Sequence, residues 1–214
     1  MNWKKNPASS WKLYCIIDKN IIEGTASPQR VAQALYAKGV DVVQLRYKNY
    51  PSYKLVRIAK KIQGIARKSR KALLINDRID VALASGAKGV HLGSGDLSLR
   101  TAHFLLNPKS IVGKTVHKIK QVKKARFEKA GYVSAGPVFS TPLKKNLKKQ
   151  GIDFVKKIKK CVSRPNGTAD LPVFAIGGIN KRNVKAVLGA GAGICVTRAI
   201  FEAEDLLKEI KRWA

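Results

Sequence analysis

Short apolar runs alternate with longer amphipathic stretches along the whole sequence, and this alternation limits the folds open to the chain. The apolar runs are rich in β-branched residues and have the length of buried strands. About eight of them are present, at 13–17, 40–45, 72–75, 89–92, 111–115, 132–135, 173–176 and 193–196. The stretches between them predict helices at 28–38, 52–69, 79–85, 99–106, 119–130, 152–161, 181–189 and 200–213.

An eightfold alternation of strand and helix in 214 residues predicts a single α/β domain, a (β/α)8 TIM barrel. We expect this domain to span 1–214, with 1–10 as a short N-terminal extension. Ser27-Pro28 is a good helix start, and glycines follow several predicted helices, where they tolerate the left-handed conformation. A doubly wound sheet is the alternative, but Asp18-Lys19-Asn20 after the first strand is not the glycine-rich turn it needs.

The net charge of +30, from 43 basic and 13 acidic residues, makes polyanions candidate partners. The basic residues are spread over the predicted helices rather than gathered into one arm, which favours solvated helix faces. The densest basic stretch is 144–160, and aromatic residues are not interleaved with it as a stacking surface requires. We therefore expect nucleic acid to bind nonspecifically, if at all.

The three cysteines give neither a metal-binding spacing nor a disulfide framework, which favours a reducing, cytoplasmic setting. No signal-peptide core and no apolar stretch of about 20 residues occurs, so we expect no membrane association. The sequence leaves the oligomeric state open, a homodimer included.

In a parallel barrel the functional site lies at the carboxyl ends of the strands. Polar or glycine residues follow seven of the predicted strands there, so we expect these scattered positions to converge in space. They are Gln44, Arg46 and Lys48; Asn76 and Asp77; Asp96; Thr115; Thr141; Gly177 and Gly178; and Thr197 and Arg198.

Asp77 and Asp96 follow two consecutive strands in a chain that has few acids. Two carboxylates held by neighbouring strands can share one divalent cation such as Mg²⁺, while the surrounding cations hold phosphate. Each aspartate also precedes a predicted helix, so the role of helix N-cap stays open for both. The pair indicates phosphate chemistry.

Local features of the sequence explain why these residues are candidates for phosphate binding. Arg46 and Lys48 are two residues apart at a strand end, so both heads can address one anion. Thr115 and Thr141 can bind phosphate or a substrate hydroxyl. The glycines at 177–178 precede a predicted helix start at 180–181, whose N–H groups would receive a phosphate. The three histidines form no metal-binding set, and we assign His117 no role.

In this order, the strand ends resemble those of the thiamine phosphate synthase family, which includes thiazole tautomerases and consists of compact TIM barrels. The resemblance covers nearly the whole chain. Each motif is weak alone, and together they are strong: Gln44-x-Arg46-x-Lys48, Asn76-Asp77, His91-x-Gly93-x-x-Asp96, Gly136-Pro137-x-Phe139-x-Thr141 and Ile176-Gly177-Gly178-Ile179.

The resemblance implies a transferase of thiamine biosynthesis that joins hydroxymethylpyrimidine diphosphate to thiazole phosphate and releases pyrophosphate. It implies that Asp77 and Asp96 bind Mg²⁺, and that the thiazole phosphate lies at the 177–178 glycines. It also implies a dissociative mechanism, with Arg46, Lys48 and Lys144 assisting departure of the pyrophosphate. The residues implied to hold the diphosphate are Gln44, Arg46, Lys48, Asn76 and Lys144.

The chain departs from the family pattern at Leu143, at Ser94-Gly95 and at Arg198, where the family commonly has other polar residues. These departures favour the tautomerase branch of the family, and the resemblance to that branch implies an enzyme that needs no metal. That branch tends to lose both magnesium carboxylates, whereas this chain keeps them. A synthase is the main expectation, with a tautomerase-like enzyme or a basic barrel that binds nucleic acid or a partner as alternatives.

Overall fold

The computed structural model describes residues 6–144, 148–163 and 170–213, without the side chains of Lys144 and Trp213. Eight parallel strands, each paired with the next, close into a barrel when β8 pairs with β1. They are β1 Leu13–Asp18, β2 Val42–Arg46, β3 Ala72–Asn76, β4 Gly89–Leu92, β5 Ile111–Val116, β6 Tyr132–Ala135, β7 Val173–Ile176 and β8 Gly193–Val196. The predicted TIM barrel is confirmed.

The α-helices of the described residues surround this barrel: α1 Lys19–Ile22, α2 Pro28–Lys38, α3 Ser52–Lys68, α4 Ile79–Ser85, α5 Leu99–Leu105, α6 Ile119–Phe127, α7 Gly151–Val162, α8 Val184–Gly189 and α9 Ala203–Trp213. Short 3₁₀ helices occur at Pro7–Ser10, Pro142–Lys144 and Arg198–Glu202. The predicted start of α2 is confirmed, because the Ser27 side chain accepts a hydrogen bond from the backbone N–H of Arg30. Gly39, with φ of 101°, ends the helix in the left-handed conformation.

Four predicted boundaries were wrong, and one of them is the end of α6, which lies at Phe127 rather than at residue 130. β2 begins at Val42 rather than residue 40, because Val40 still closes the end of α2 by donating to the carbonyl of Leu35. α8 begins at Val184 rather than residue 181. The final predicted helix is divided, since the 3₁₀ helix Arg198–Glu202 precedes α9. The turn before α8 affects the proposed phosphate site and is described below.

Strand alternation divides the buried side chains into two cores. One core lies between the barrel and its helices and includes Leu73, Val90 and Ile158. The other fills the barrel interior and includes Tyr14, Tyr132 and Phe174, whose rings pack edge to face at 5.4–5.7 Å between centroids. Aromatic rings therefore support the floor of the barrel mouth.

The N-terminal end of the described chain packs against the bottom of the barrel. Trp11 lies with its ring centroid 6.2 Å from that of Tyr132 and 6.4 Å from that of Phe174. Asn6 donates from its side chain to the carbonyl of Gly131 at 2.6 Å. In the described part of the chain, every helix is too short or too polar to span a bilayer.

Candidate active site

Two carboxylates and one lysine lie together at the mouth of the barrel. Asp77 directly follows β3, and Asp96 lies in the turn after β4, where its carboxylate accepts from the backbone N–H of Gly93 at 2.5 Å. The carboxyl groups of Asp77 and Asp96 lie close enough for each to shift the pKa of the other. Lys48 Nζ lies 3.3 Å from Asp77 Oδ2. This arrangement combines two hard oxygen donors with one cation.

The surroundings shift the pKa values of the two carboxyl groups in opposite directions. Partial burial raises the pKa of Asp77, and the neighbouring Asp96 raises it further, while Lys48 opposes the rise. Burial also disfavours ionisation of Asp96, but hydrogen bonds from Asp77 and from the Gly93 N–H outweigh it and lower the pKa of Asp96. A divalent cation would favour the ionised form of both groups.

Asp77 adopts the left-handed backbone conformation, with φ of 61°. Aspartate tolerates this region better than most residues, at a cost on the order of 1 kcal/mol. The N–H of Asp77 donates to the carbonyl of His91 at 2.9 Å, so the end of β3 is held against β4. Asn76, the last residue of β3, lies opposite His91 in the strand register.

Lys114 holds the turn that carries Asp96. It lies on β5 between the inward-facing Gly113 and Thr115, so its side chain leaves the barrel on the helix side. Its Nζ donates to the carbonyl of Gly93 at 2.7 Å. Partial burial lowers the pKa of Lys114, and Asp96 and Glu128 counter this effect. The turn 93–96 is therefore fastened on both sides, by Lys114 and by the Asp96 carboxylate.

Arg46 is paired with Asp18 at the end of the neighbouring strand. The two residues are Cα partners in the β1–β2 register, and the guanidinium donates to the carboxylate of Asp18, which is 4% exposed. Lys48 lies in the turn beyond β2 rather than on the strand. The predicted strand-face alignment of Arg46 with Lys48 was therefore wrong. The two cations are instead held by different carboxylates, Asp18 and Asp77.

A chain of buried hydrogen bonds crosses the barrel below the mouth. The Gln44 amide donates to the hydroxyl of Tyr14, which lies 3.0 Å from that of Tyr132. The Tyr132 hydroxyl lies 2.8 Å from Nδ1 of His91, whose Nε2 is 2.9 Å from Oγ1 of Thr115. Burial raises the pKa of both tyrosines well above the usual value, so both hydroxyls stay protonated. This chain of hydrogen bonds links two predicted substrate-binding residues, Gln44 and Thr115.

A cavity of about 310 Å³ opens at the ends of β6, β7 and β8. It combines backbone glycines with hydroxyl and guanidinium groups, and its lining includes Thr141, Gly177, Gly178, Thr197, Arg198 and Glu202. Arg198 is exposed and forms no ion pair with the rest of the described chain. Five of the predicted substrate-binding residues therefore share one cavity.

Two glycines let the β6 and β7 loops approach each other closely. Gly177 and Gly178 have φ of 100° and 66°, in the left-handed region. A Cβ added at Gly177 would lie 2.6 Å from Pro137, and one at Gly178 would lie 2.3 Å from the carbonyl oxygen of Ser140. Only glycine fits at both positions, and the cavity is shaped by this contact.

The predicted helix start beside these glycines was wrong. The N–H of Asn180 donates to the side chain of Asn183 at 3.0 Å, and Asn183 Nδ2 donates to the carbonyl of Gly178 at 2.9 Å. These bonds form a side-chain-closed turn, and α8 begins only at Val184 and is short. A phosphate in the cavity would therefore meet backbone and side-chain donors rather than a helix end.

The N-cap alternatives for the two aspartates were also wrong. The N-cap of α4 is Arg78, without a side-chain cap bond, and the N-cap of α5 is Ser98, which accepts from the N–H of Thr101 at 3.0 Å. Asp77 and Asp96 are thus free of helix-capping duties. The backbone of Lys144 ends the 3₁₀ helix Pro142–Lys144, while its side chain lies outside the described part of the chain.

The donor set at the mouth fits Mg²⁺. The described residues contain no group of three His, Cys, Asp or Glu side chains that could hold a metal ion. Mg²⁺ is commonly bound by one or two carboxylates and completes its shell with water and substrate phosphates. The facing carboxylates of Asp77 and Asp96 provide that partial shell.

Sequence reasoning missed five polar residues of this region: Asp18, Tyr14, His91, Tyr132 and Lys114. A signal was available for the tyrosines, because strand alternation places them on the same inward face as Gln44 and Thr115. The sequence offered no signal for the contact of Lys114 with Gly93, which depends on how β5 packs beside the 93–96 turn.

Comparison with known proteins gives a consistent result. Residues 13–200 match the family of thiamine monophosphate synthases. The chain is 39% identical over 208 residues to a thiamine-phosphate synthase of Caldanaerobacter subterraneus subsp. tengcongensis, covering 94% of each chain. It is 36% identical to the enzyme of that name from Clostridium novyi, covering 92% of this chain and 94% of the relative.

A solved structure agrees with the sequence relatives. Thiamine phosphate pyrophosphorylase from Pyrococcus furiosus superposes with a TM-score of 0.85 at 30% identity, covering 97% of this chain and 99% of that one. The shared barrel, the matching strand ends and the extent of the match identify this chain as a member of the thiamine monophosphate synthase family.

Proposed function

We propose that the chain is a thiamine phosphate synthase in which Asp77 and Asp96 bind Mg²⁺ and the cavity at β6–β8 binds the thiazole phosphate. The observation that carries this proposal is the proximity of the two carboxyl groups, each of which shifts the pKa of the other, with Lys48 Nζ 3.3 Å from Asp77. Family membership supports the transferase reaction, and the charges at the mouth suit a diphosphate substrate.

The diphosphate would bind between the carboxylates and the cations of the β2 and β6 loops. Lys48 Nζ, only 3.3 Å from Asp77, can contact a phosphate oxygen without leaving the carboxylate. Arg46 is held by Asp18 and presents its remaining donors to the mouth. Asn76 and Lys144 would complete the set. When bound, Mg²⁺ neutralises the charge that develops on the departing pyrophosphate.

The reaction requires one bond to break and one to form. The bond between the pyrimidine methylene carbon and the diphosphate oxygen breaks, and its electron pair leaves with the pyrophosphate. The thiazole nitrogen then donates its lone pair to that carbon, which gives the thiazolium product. The cations Arg46, Lys48 and Lys144 stabilise the leaving group. In a dissociative reaction, most of the catalytic effect comes from this charge stabilisation and from alignment of the thiazole.

Gln44 suits the pyrimidine ring better than the diphosphate. Its side chain is 1% exposed and donates to Tyr14 inside the barrel, below the level of the carboxylates. Thr115 lies at the other end of the same hydrogen-bond chain. We infer that these two residues form the polar floor on which the ring rests, while Thr141, Gly177, Gly178, Thr197 and Arg198 bind the thiazole phosphate.

The decisive experiment incubates purified protein with hydroxymethylpyrimidine diphosphate, thiazole phosphate and Mg²⁺ and measures thiamine phosphate by chromatography. Formation that needs all three components supports the synthase. A parallel incubation with the thiazole carboxylate tautomer alone tests the tautomerase. Conversion of that tautomer without metal, and no thiamine phosphate in the first mixture, would overturn the proposal.

A cytoplasmic location and a homodimer remain predictions. Phe104 and Phe127, which are 88% and 75% exposed, are apolar side chains that a second copy could cover. Analytical ultracentrifugation of the wild type and of a Phe104→Ser variant would test the dimer. A monomeric wild type over a range of concentrations would exclude it under those conditions.

A further inference from the structure

Helix α3 is the most one-sided source of positive charge in the fold. It has six basic residues and no acidic residue, and none of the six forms an ion pair with any described side chain: Lys54, Arg57, Lys60, Lys61, Arg67 and Lys68. Elsewhere, lysines of α7, α8 and α9 have carboxylate partners. The charge of α3 is therefore available to an external anion.

A groove borders the first half of this helix and brings aromatic rings to the same cations. This α3 groove has a volume of about 310 Å³, and its lining includes Tyr50, Tyr53, Lys54, Arg57 and Lys61. Its volume equals that of the cavity proposed for the thiazole phosphate. The groove is thus large enough for one heterocyclic ring with its phosphate.

The two tyrosines differ in how firmly they are held. Tyr50 is half-buried and packs edge to face on Tyr47, with ring centroids 5.3 Å apart. Tyr53 is 64% exposed, and Lys54 Nζ lies 5.8 Å from its ring centroid. Tyr53 therefore presents an open ring face next to a cation, on the protein surface.

The cations of the groove follow the helix in a line. Lys54, Arg57 and Lys61 are separated by three and four residues, so they lie on one face of α3. At a rise of 1.5 Å per residue, they extend over about 10 Å along the helix axis. A row of cations beside an exposed ring suits a flexible polyanion that also carries planar groups.

We propose that the α3 groove binds single-stranded nucleic acid, with a base stacked on Tyr53 and backbone phosphates contacting Lys54, Arg57 and Lys61. The sequence had disfavoured nucleic acid because aromatic residues are not interleaved with the 144–160 basic run, which contains one aromatic residue, Phe154. The α3 groove supplies such aromatic rings beside basic residues, on a different helix. Unpaired bases are required, since a duplex would hide the ring faces that Tyr53 can stack on.

Fluorescence anisotropy with a labelled single-stranded oligonucleotide of about 12 nucleotides tests the proposal over a salt series. Tyr53→Ala should weaken binding about fivefold or more, whereas Tyr53→Phe, which keeps the ring, should bind as the wild type does. The double variant R57S/K61S should weaken binding. It should also reduce the steepness of the fall of log K with log salt concentration by about 1.4.

The matched control removes the same charge elsewhere. Lys120 and Lys123 are exposed on α6 and form no ion pair with a described residue, so K120S/K123S changes the net charge equally. This control should retain most of the affinity. A loss equal to that of R57S/K61S, or full affinity in Tyr53→Ala, would show that binding follows total charge and would overturn the proposal.

Two competitors separate the partner classes. Inorganic polyphosphate should displace the oligonucleotide, but its own affinity should be the same for wild type and Tyr53→Ala, because it has no ring to stack. An acidic peptide that binds the groove more tightly than the oligonucleotide would also overturn the proposal. Thiamine phosphate formation should be unchanged in all four variants, so this test is independent of the catalytic one.

Discussion

Asp77 and Asp96 follow different strands, yet their carboxyl groups lie close enough to shift the pKa of each other. The register of β3 with β4 sets Asn76 opposite His91, which brings the residue after β3 beside the turn after β4. Lys48 is the ion-pair partner of Asp77 at this point. When both carboxyl groups are ionised, one ammonium leaves a net negative charge at the pair, which a divalent cation would neutralise.

Removal of either carboxylate should therefore abolish most Mg²⁺-dependent turnover. We expect D77A and D96A each to lower kcat/KM for pyrophosphate release by about 100-fold or more. The matched control is D80A, since Asp80 is a nearby exposed carboxylate paired with Arg78 rather than with the mouth. Full activity in D77A or D96A would remove the metal assignment.

The pH dependence of Mg²⁺ binding should follow Asp77. Because partial burial and Asp96 raise the pKa of Asp77 above its usual 3.8, protons compete with the cation at a higher pH than for an ordinary carboxylate. Affinity should be complete above this raised pKa and fall as the pH drops through it. Calorimetric titration with Mg²⁺ at several pH values measures this. A pH-independent affinity down to pH 3.8 would contradict the expectation.

Tyr132 should be important for stability because its hydroxyl links Tyr14 with His91. Tyr132→Phe keeps the ring among Trp11 and Phe174 but removes the hydroxyl from a buried chain. We expect a loss of about 1–3 kcal/mol in the free energy of unfolding, measured by urea denaturation. Tyr53→Phe, which removes an exposed hydroxyl, should cause no comparable loss.

Lys114 should influence Mg²⁺ affinity without contacting the metal. Lys114→Met removes the bond to the Gly93 carbonyl and so loosens the turn that carries Asp96. The dissociation constant for Mg²⁺, measured by calorimetry, should rise about five- to tenfold. Lys124→Met, which removes an exposed lysine of α6 that pairs with Glu128, is the matched control. Equal affinities in both variants and wild type would show that the turn is held without Lys114.

The barrel could be predicted from the sequence because strand alternation and helix starts are local patterns, as at Ser27-Pro28. Barrel geometry also predicted that the strand ends converge. Contacts that depend on turn geometry, or on packing between residues distant in sequence, could not be predicted from the sequence. The pairing of Lys48 with Asp77 depends on the turn after β2, and the delayed start of α8 depends on the side-chain bonds of Asn180 and Asn183. The Tyr14–Tyr132 bond joins residues 118 positions apart.

Arg198 should select for a phosphorylated thiazole. It lines the β6–β8 cavity from the end of β8, and it forms no ion pair with a described carboxylate, although Glu202 lines the same cavity. Arg198→Ser should raise KM for thiazole phosphate about tenfold with little change in kcat, because the lost contact is a charge-assisted hydrogen bond remote from the reacting nitrogen. KM for the unphosphorylated thiazole alcohol should hardly change. Arg182→Ser, an exposed arginine outside the cavity lining, should behave as the wild type does. A lower KM in Arg198→Ser would mean that the arginine crowds the phosphate rather than binding it.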